Sequence, residues 1–488
     1  MVKVPADIVQ QLRKTGQEHV LAWWDQLPEG ERRELVDQLK GINFDQLRSL
    51  FNQREWAVSL PASEKIQPVP VIRTGTPEAR QIGEEALRNG EVAVLMVAGG
   101  QGSRLGLDHT KGMFPISPVK NKSLFQIHAE KVLALGRRYG RPLPFLVMTS
   151  PATHGETEAF FLQHDCFGLR REDVFLFCQG TLPALDMATG KLLLEKRGRI
   201  FTSPNGHGGV LTALADSGLL GWLRRQNVKN IFYFQVDNPL VNIADPVFLG
   251  HHLAAEAEVS SKIVRKEGPK DKLGNVVLID GSCCIIEYSD LPESLGRQTD
   301  ENGELRIWAG SPAIHIFNLD FLTQITQGPG RLPFHVARKK VPYLDETGKR
   351  VEPDRENALK FEMFIFDVLP MAQRWTVVET SRSEEFVPLK NATGPDSPPV
   401  VRQAISNQAA QWLEKAGVKV PRLASGDAAV PLEISPMFAL DAEELAAKVD
   451  RTLQISGPTY LDEVRSQESG IRNQGSGVRS QEPGSSGQ

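Results

Sequence analysis

A short apolar segment that runs directly into a glycine-rich turn constrains the fold of this chain more than any other feature. Residues 92–98 read VAVLMVA, and every one of these side chains is apolar. Such a strand is expected in a parallel sheet covered on both faces, because neither set of alternating side chains then meets water. The sequence therefore predicts an α/β fold built around this buried strand.

Apolar and helical segments alternate from residue 91 to residue 385. FLVMTS, DVFLFCQ and IFYFQVDN read as further strands, and helical periodicity separates them, as in SLFQIHAEKVLALGRRYG. This alternation is typical of β-α-β units with helices on both faces of a sheet. Ligands in open sheets of this class bind beyond the carboxyl ends of the strands, so we expect the functional residues in the loops after the strands.

The regions that flank this central domain, predicted at 91–385, have a different character. Residues 1–90 are predicted to form helices up to about residue 55 and then an extended, proline-containing connector. Residues 386–464 contain clustered prolines and short apolar runs, which indicate a small C-terminal domain. Residues 465–488 are almost devoid of apolar side chains and are predicted to be a disordered tail, because they cannot bury enough apolar surface to fold.

Charge and cysteine content exclude several classes of protein. The 488 residues carry 56 Lys+Arg and 60 Asp+Glu, so the basic excess typical of nucleic-acid binders is missing. The four cysteines form no CxxC pair and indicate a reducing compartment. The longest apolar run is too short to cross a bilayer, and the first residues lack the apolar core of a signal peptide. We therefore expect a soluble cytoplasmic protein with no nucleic-acid or membrane partner and no obligate protein partner.

The turn after the first central strand has the composition of an anion-binding site. Gly99, Gly100 and Gly102 lie at its start, and Arg104 and Lys111 follow. Glycines let backbone N–H groups approach phosphate oxygens closely, and the two basic side chains add the charge that a triphosphate or a pyrophosphate requires. The turn therefore predicts binding of a phosphorylated ligand.

Two other phosphate-binding motifs can be compared with this turn. A P-loop is excluded, because the chain has no GxxxxGK string followed by Ser or Thr. Gly100, Gly102 and Gly106 form GxGxxxG, a looser variant of the dinucleotide fingerprint, but the next strand ends in Thr149-Ser150 instead of an acidic residue. An NADP-linked oxidoreductase therefore remains a more distant alternative.

The segment AGGQGSRLGLDHTKGMFPI resembles the nucleotide-binding signature of UTP-dependent sugar-1-phosphate uridylyltransferases, and within that group it is most similar to UDP-N-acetylglucosamine pyrophosphorylases. Further matching segments follow in the same order, namely FCQGTLPALD, PNGHGGVLTAL, FQVDNPLVNIADP, IIEYSDLPE, KFEMFIFD and EEFVPLKNA. The resemblance covers about residues 8–440. It implies a Rossmann-like nucleotidyltransferase fold of the GT-A-like type, with a central mixed sheet, a helical N-terminal arm and a small β-rich C-terminal domain.

The resemblance also implies roles for individual residues. The residues implied to bind the substrates are Ala98, Gly99, Gly100, Gln101, Gly102, Gln179, Gly206, His207, Asp237, Glu287 and Ser311. Among them, Gln179 would pair with the edge of uracil, and Glu287 would bind sugar hydroxyls. The implied catalytic residues are Arg104, Lys111 and Lys390, which would neutralise the phosphates, and Asp237 would bind Mg²⁺, the one expected cofactor.

The implied reaction joins UTP and a sugar 1-phosphate into a UDP-sugar with release of pyrophosphate. N-acetylglucosamine 1-phosphate is the first expectation for the sugar. His207 and Ser311, however, stand where enzymes specific for that sugar typically carry asparagine, and a Gly-His-Gly string is more similar to UDP-glucose pyrophosphorylases. Glucose 1-phosphate is therefore the alternative substrate. A nucleotide-sensing module without catalysis is a further alternative from another class.

Overall fold

The computed structural model describes residues 2–54, 60–328 and 332–463, so the predicted tail at 465–488 lies outside the described residues. The helices, in chain order, are α1 (Ala6–Thr15), α2 (Glu29–Lys40), α3 (Phe44–Asn52), α4 (Pro77–Arg88), α5 (Leu124–Tyr139), α6 (His154–Gln163), α7 (Val210–Asp216), α8 (Leu219–Arg225), α9 (Pro246–Ala254), α10 (Glu293–Gly296), α11 (Leu319–Gln327), α12 (Arg382–Glu385), α13 (Pro398–Lys415) and α14 (Ala442–Lys448). The strands are β1 (Ile66–Pro68), β2 (Val92–Val97), β3 (Phe145–Thr149), β4 (Val174–Cys178), β5 (Thr181–Pro183), β6 (Leu185–Asp186), β7 (Leu194–Lys196), β8 (Arg199–Ile200), β9 (Thr202–Pro204), β10 (Asn230–Gln235), β11 (Val259–Arg265), β12 (Gly274–Ile279), β13 (Ser282–Ile286), β14 (Ala309–Ser311), β15 (His315–Asn318), β16 (His335–Lys339), β17 (Tyr343–Leu344), β18 (Arg350–Val351), β19 (Ala358–Glu362), β20 (Trp375–Glu379), β21 (Leu432–Ile434) and β22 (Thr459–Leu461).

An eleven-stranded mixed sheet forms the centre of the molecule. Its main path runs β1-β12-β14-β11-β15-β10-β2-β3-β4, and β13 and β20 pair beside β12 and β11. The strands β10, β2, β3 and β4 are parallel, whereas β15 is antiparallel to both β10 and β11. The predicted α/β fold with a central mixed sheet is confirmed.

Both faces of the parallel strands are covered, as the apolar segment at 92–98 predicts. On β2, Ala93 and Leu95 belong to one apolar cluster together with side chains of α7 and α8. Val94 and Met96 belong to a second cluster with side chains of α5 and α9. Alternate residues of a strand point to opposite faces, so a strand that is buried on both faces must be apolar throughout.

Two glycines allow α4 and α9 to pack with their backbones in contact. A Cβ atom on Gly250 of α9 would lie 1.7 Å from the carbonyl oxygen of Ala79, and one on Gly83 of α4 would lie 1.9 Å from that of Pro246. Only glycine, which lacks a Cβ, fits at such a crossing. α4, which follows the proline-containing connector, is thereby fixed directly onto a helix that covers the central sheet.

The N-terminal helices pack on a small three-stranded sheet, β16-β19-β6, that is separate from the central sheet. Leu12, Leu35 and Leu39 are almost completely buried, and they share one apolar cluster with Leu185 and Leu359 from β6 and β19. The predicted helical character of this arm is confirmed by α1, α2 and α3.

The C-terminal part differs from the prediction of a β-rich domain. Its strands in the described residues are the short parallel pair β21-β22, and its longest element is the 18-residue helix α13. The clustered prolines suggested a break, but two of them occupy the first turn of α13, where a missing N–H costs no hydrogen bond. Leu413 and Ala410 of α13 then pack on Leu432 and Leu445 to form a separate apolar cluster.

Candidate functional site

The site lies at the carboxyl ends of the parallel strands. The last residues of β2 and β10, Val97 and Gln235, are paired in register, so the loops after the two strands begin side by side. From β2 the chain continues outward to β3 and β4, and it later returns to form β10 on the other side of β2. Such a reversal of strand order opens a crevice between the two loops, and ligands of this fold class bind there.

The glycine-rich turn after β2 folds back on itself. The N–H of Gly102 donates to the carbonyl oxygen of His109 at 3.0 Å, and the N–H of Lys111 donates to that of Gly100 at 3.3 Å. Glu156, in the first turn of α6, accepts from the N–H of Thr110 at 3.0 Å. These hydrogen bonds bring Lys111 back to the strand end from which the turn departs.

Gln179 lies against the start of this turn. Its N–H donates to the carbonyl oxygen of Thr149 at 2.9 Å, and its side-chain amide lies so close to Gly99 that a Cβ there would be 2.7 Å from the nitrogen. The side-chain oxygen Oε1 is buried without a hydrogen-bond partner among the described residues. Because buried polar atoms are normally paired, this amide is suited to a ligand that donates and accepts in one plane.

Lys111, Asp237 and Lys390 come from distant parts of the chain, and the fold brings their segments together around Asp237. The Lys111 Nζ lies 3.2 Å from Asp237 Oδ2, and the two side chains are 19% and 12% exposed. The carbonyl oxygen of Asp237 accepts from the N–H of Leu389 at 2.8 Å, which places Lys390 next to the same loop. Charges that are partly withdrawn from solvent interact more strongly than surface charges, so this cluster is suited to an anionic ligand.

His207 directly follows Gly206, a glycine with a positive φ angle. Gly206 has a φ of +85°, and a Cβ on it would lie 2.4 Å from the carbonyl oxygen of Met363. The His207 Nδ1 accepts from the N–H of Ile365 at 3.1 Å, and the ring stacks on Phe364. Burial, with a smaller effect from His335, lowers the pKa of His207 to about 4. The ring is therefore neutral at pH 7 with its proton on Nε2, where it can donate to a ligand.

A single pocket brings together five of the predicted residues, and these are His207, Asp237, Glu287, Ser311 and Lys390. Phe366 lines it as well. Burial and, to a smaller degree, the charge of Asp290 raise the pKa of the Glu287 carboxyl above its ordinary value, while Lys390 acts in the opposite direction. The pocket thus combines hydrogen-bonding groups with an aromatic side chain, a typical composition for a small-molecule site.

The remaining predicted residues lie around the glycine-rich turn. Ala98 is buried and donates from its N–H to Met148, and Gln101 forms a bridge to Thr110. Arg104 is exposed in a 3₁₀ turn and has no ion-pair partner among the described residues, so the structure does not bring it into the cluster of Lys111 and Asp237.

The sequence reasoning missed three residues at the site. Ser150 donates from Oγ to the carbonyl oxygen of Gly99 at 2.8 Å, and its position at a strand end is a signal that could have identified it. Asn205 has a buried Oδ1 without a partner in the described residues, and it stands in the PNGHGG string of which only Gly206 and His207 were singled out. Lys272 lines the pocket, but an isolated lysine in a charged loop carries no such signal.

The donor set at Asp237 is compatible with a hydrated Mg²⁺. Among the residues that the structure describes, no group of three or more His, Cys, Asp or Glu side chains is arranged to hold a metal ion. Mg²⁺ is commonly bound through one or two carboxylates together with substrate phosphates and water, and the Asp237 carboxylate beside the glycine-rich turn meets that requirement.

Comparisons with known proteins agree with this geometry. The family model described as UTP–glucose-1-phosphate uridylyltransferase matches residues 46–409. The chain is 34% identical to the human UDP-N-acetylhexosamine pyrophosphorylase-like protein 1, over 95% of this chain and 98% of the human protein. It is 33% identical to the UDP-N-acetylglucosamine pyrophosphorylase of Saccharomyces cerevisiae, over 92% and 98% of the two chains.

A solved structure shows the same architecture. The uridine diphosphate N-acetylglucosamine pyrophosphorylase from Trypanosoma brucei, solved in complex with an inhibitor, matches with a TM-score of 0.78 and 27% identity, over 92% of this chain and 95% of that chain. In the described part of this chain, none of the helices has the length and apolar character needed to span a membrane. The resemblance predicted from the sequence is confirmed. The chain therefore belongs to the UTP–glucose-1-phosphate uridylyltransferase family and is a nucleotidyltransferase.

Proposed function

We propose that this protein transfers the uridylyl group of UTP to a sugar 1-phosphate, with N-acetylglucosamine 1-phosphate as the preferred acceptor. An oxygen of the sugar phosphate attacks the α-phosphorus of UTP, a new P–O bond forms, and the bond to pyrophosphate breaks. The observation that supports this most strongly is the Lys111–Asp237 ion pair at the carboxyl ends of the strands, with the segment that carries Lys390 hydrogen-bonded to Asp237. Two anions have to approach each other in this reaction, and such a cluster lowers their repulsion.

Each part of the site has a task in this scheme. The glycine-rich turn and Gln179 bind the nucleotide, with the Gln179 amide facing uracil. Lys111 neutralises the triphosphate, and Arg104 lies on the exposed rim where the departing pyrophosphate would leave. Lys390 binds the phosphate of the sugar. Because the nucleophile is already an anion, the reaction requires positioning and charge neutralisation and no general base.

We further propose Mg²⁺ as the cofactor, held by Asp237. When bound, it supplies positive charge to the phosphate oxygens, in addition to that of the lysines. A reducing cytoplasm is the proposed location, which agrees with four cysteines that are all free thiols.

The sugar is assigned from the relatives, and the pocket supplies a specific reason to test glucose 1-phosphate as well. His207 offers one donor at Nε2, because its Nδ1 is already bonded to the N–H of Ile365. A neutral imidazole in this state can bind the carbonyl oxygen of an N-acetyl group, but it can equally bind a hydroxyl oxygen. The names of the relatives favour the N-acetyl sugar, and the family model carries the name of the glucose enzyme.

Release of pyrophosphate tests the proposal directly. The full chain is incubated with Mg²⁺, UTP and either N-acetylglucosamine 1-phosphate, N-acetylgalactosamine 1-phosphate or glucose 1-phosphate, and kcat/KM is measured for each sugar. We expect the highest value with N-acetylglucosamine 1-phosphate, and little turnover when ATP replaces UTP. A higher kcat/KM with glucose 1-phosphate would overturn the sugar assignment, and no release with any sugar would overturn the function.

A further inference from the structure

The side chain of Asn238 connects the loop that carries Asp237 to the segment that carries Lys390. Asn238 is 3% exposed. Its Nδ2 donates to the carbonyl oxygen of Glu385 at 2.7 Å, and its Oδ1 accepts from the N–H of Val387 at 3.1 Å. With the hydrogen bond from Leu389 to the Asp237 carbonyl, these contacts lay residues 385–389 alongside residues 237–238.

No helix or strand determines the course of this segment beyond Glu385. α12 ends at Glu385, α13 begins at Pro398, and the residues between them belong to no helix or strand. The backbone N–H of Lys390 donates to the carbonyl oxygen of Asp396 in the loop that follows. This hydrogen bond does not attach Lys390 to the sheet. The position of Lys390 relative to Asp237 therefore depends on the packing of its neighbours, such as the fully buried Leu389, and on the hydrogen bonds made by residues 237 and 238.

A buried ionic network holds the start of the same segment. The Lys262 ammonium, on β11, forms ion pairs with Glu385 and with Asp245, the latter at 2.7 Å. The Thr380 Oγ1 donates to Glu385 Oε1 at 2.9 Å. Buried ion pairs often add little to stability, because desolvation offsets the attraction, but their directed contacts can select one geometry. Here the selected geometry places the segment beside the 237–245 loop.

We infer that Asn238 is a positioning residue that sets the place of Lys390 opposite Asp237 and so aligns the sugar phosphate for attack. This inference rests on the proposed function. Without the Asn238 amide, residues 385–389 lose two of their three hydrogen bonds to residues 237 and 238. The nucleotide side of the site is held separately, by contacts of Gly99 and Thr149 with Ser150 and Gln179. Loss of Asn238 should therefore affect the sugar phosphate far more than UTP.

The Asn238→Ala variant tests this inference against a matched control. Asn357 also accepts from one backbone N–H and donates to one backbone carbonyl, both of Val341, at 2.8 and 3.0 Å, and it does not line the pocket. In Asn238→Ala we expect the KM for the sugar 1-phosphate to rise about tenfold or more, with the KM for UTP changed less than about twofold, because small misplacement of a binding group is costly. In Asn357→Ala both KM values should stay near those of the wild type. Equal changes in the two KM values of Asn238→Ala would overturn the inference.

A double-mutant cycle shows whether the effect passes through Lys390. The dissociation constant of the UDP-sugar product is measured by calorimetry for the wild type, Asn238→Ala, Lys390→Ala and the double variant. We expect Asn238→Ala to weaken binding in the wild-type background and to have little further effect in Lys390→Ala, since coupled residues are not additive. Equal weakening in both backgrounds would contradict the inference.

Thr380→Val provides a second way to loosen the same segment if Asn238→Ala does not fold. It removes the hydrogen bond to Glu385 at nearly constant volume, and we expect the same selective rise in the KM for the sugar 1-phosphate, of smaller size. An unchanged ratio of the two KM values would again overturn the inference. Lack of turnover in the wild type with every sugar 1-phosphate would instead reject the proposed function.

Discussion

At the scale of single residues, the site depends on a few charges that the fold partly shields from water. Lys111 and Asp237 form an ion pair with about four fifths or more of each side chain buried. The screening that makes surface ion pairs weak is reduced there. We therefore expect that replacement of Lys111 lowers turnover, whereas replacement of an exposed lysine leaves it unchanged.

Replacement of Lys111 by alanine tests this expectation. We predict that kcat for uridylyl transfer falls by about 10²–10³, as for other preorganised charge-stabilising groups, because the developing charge loses one of the cations that neutralise it. The far-ultraviolet circular dichroism spectrum should match that of the wild type. Lys229, which pairs with Glu91 at 2.6 Å away from the site, is the control, and Lys229→Ala should keep wild-type turnover. Wild-type-like pyrophosphate release from Lys111→Ala would exclude its catalytic role.

The residues that could be predicted from the sequence are those within recognisable strings. Asp237 and Lys390 were implied by QVDNPL and VPLKNA, and a hydrogen bond from Leu389 to Asp237 joins the two loops that carry them. Arg104 was implied in the same manner, yet it lies on the exposed rim. Lys272 and Asn238 could not be assigned, because their importance depends on segments far apart in the chain that only the folded structure places together.

At the scale of secondary-structure elements, the crossing of α4 and α9 depends on the absence of two Cβ atoms. A methyl group on Gly250 would lie 1.7 Å from a backbone oxygen of α4. A flexible side chain could move away from such a contact, but a helix backbone can yield only if the two helices separate. That separation would open the apolar layer between α9 and the sheet.

Gly250→Ala is therefore predicted to destabilise the protein strongly. We expect the free energy of unfolding to fall by about 3 kcal/mol or more, as overpacking does in tightly packed cores. Gly155, in α6, has no atom within 4 Å of a Cβ placed on it. Gly155→Ala should accordingly raise the free energy of unfolding by about 0.5–1 kcal/mol. Chemical denaturation of both variants measures the difference, and similar values for the two would contradict the packing argument.

Helices and strands could be predicted from the sequence where the hydrophobic periodicity was strong, and fewer of them could be predicted elsewhere. The strand at 92–97 and the helix at 124–139 follow directly from their patterns. The antiparallel half of the sheet, such as the pairing of β15 between β10 and β11, leaves no trace in local sequence, because strand direction is decided by long-range pairing. Helix α13 was missed because its mixed, weakly amphipathic sequence follows prolines that read as a break.

At the scale of the whole molecule, buried neutral histidines make the fold sensitive to acid. Burial lowers the pKa of His128 and His315 to about 3 and that of His207 and His252 to about 4. In the unfolded chain these side chains titrate near pH 6.5. Below that pH the unfolded state binds more protons than the native state, so stability is present above pH 6.5 and is lost as the pH falls towards 4 for His207 and His252 and towards 3 for His128 and His315.

We predict a marked fall in the thermal unfolding midpoint between pH 7 and pH 5. Each of the four histidines should contribute a loss of about 2 kcal/mol over this interval by proton linkage. In His252→Gln the pH dependence should be shallower than in the wild type, even if the variant is less stable at pH 7. His164 is exposed on the surface, and His164→Gln should keep the wild-type slope. An unfolding midpoint that stays constant from pH 7 to pH 5 would contradict the prediction.

The attachment of the N-terminal helices to β6 and β19 has a consequence for anyone who wishes to shorten the protein. β19 leads directly to Phe364 and Ile365, which contact His207. Deletion of the first fifty residues would uncover Leu185, Leu359 and their neighbours and would leave an exposed apolar surface a few residues from the pocket that contains His207. A trimmed version of this enzyme should therefore aggregate, and engineering for a smaller catalyst has to begin elsewhere in the chain.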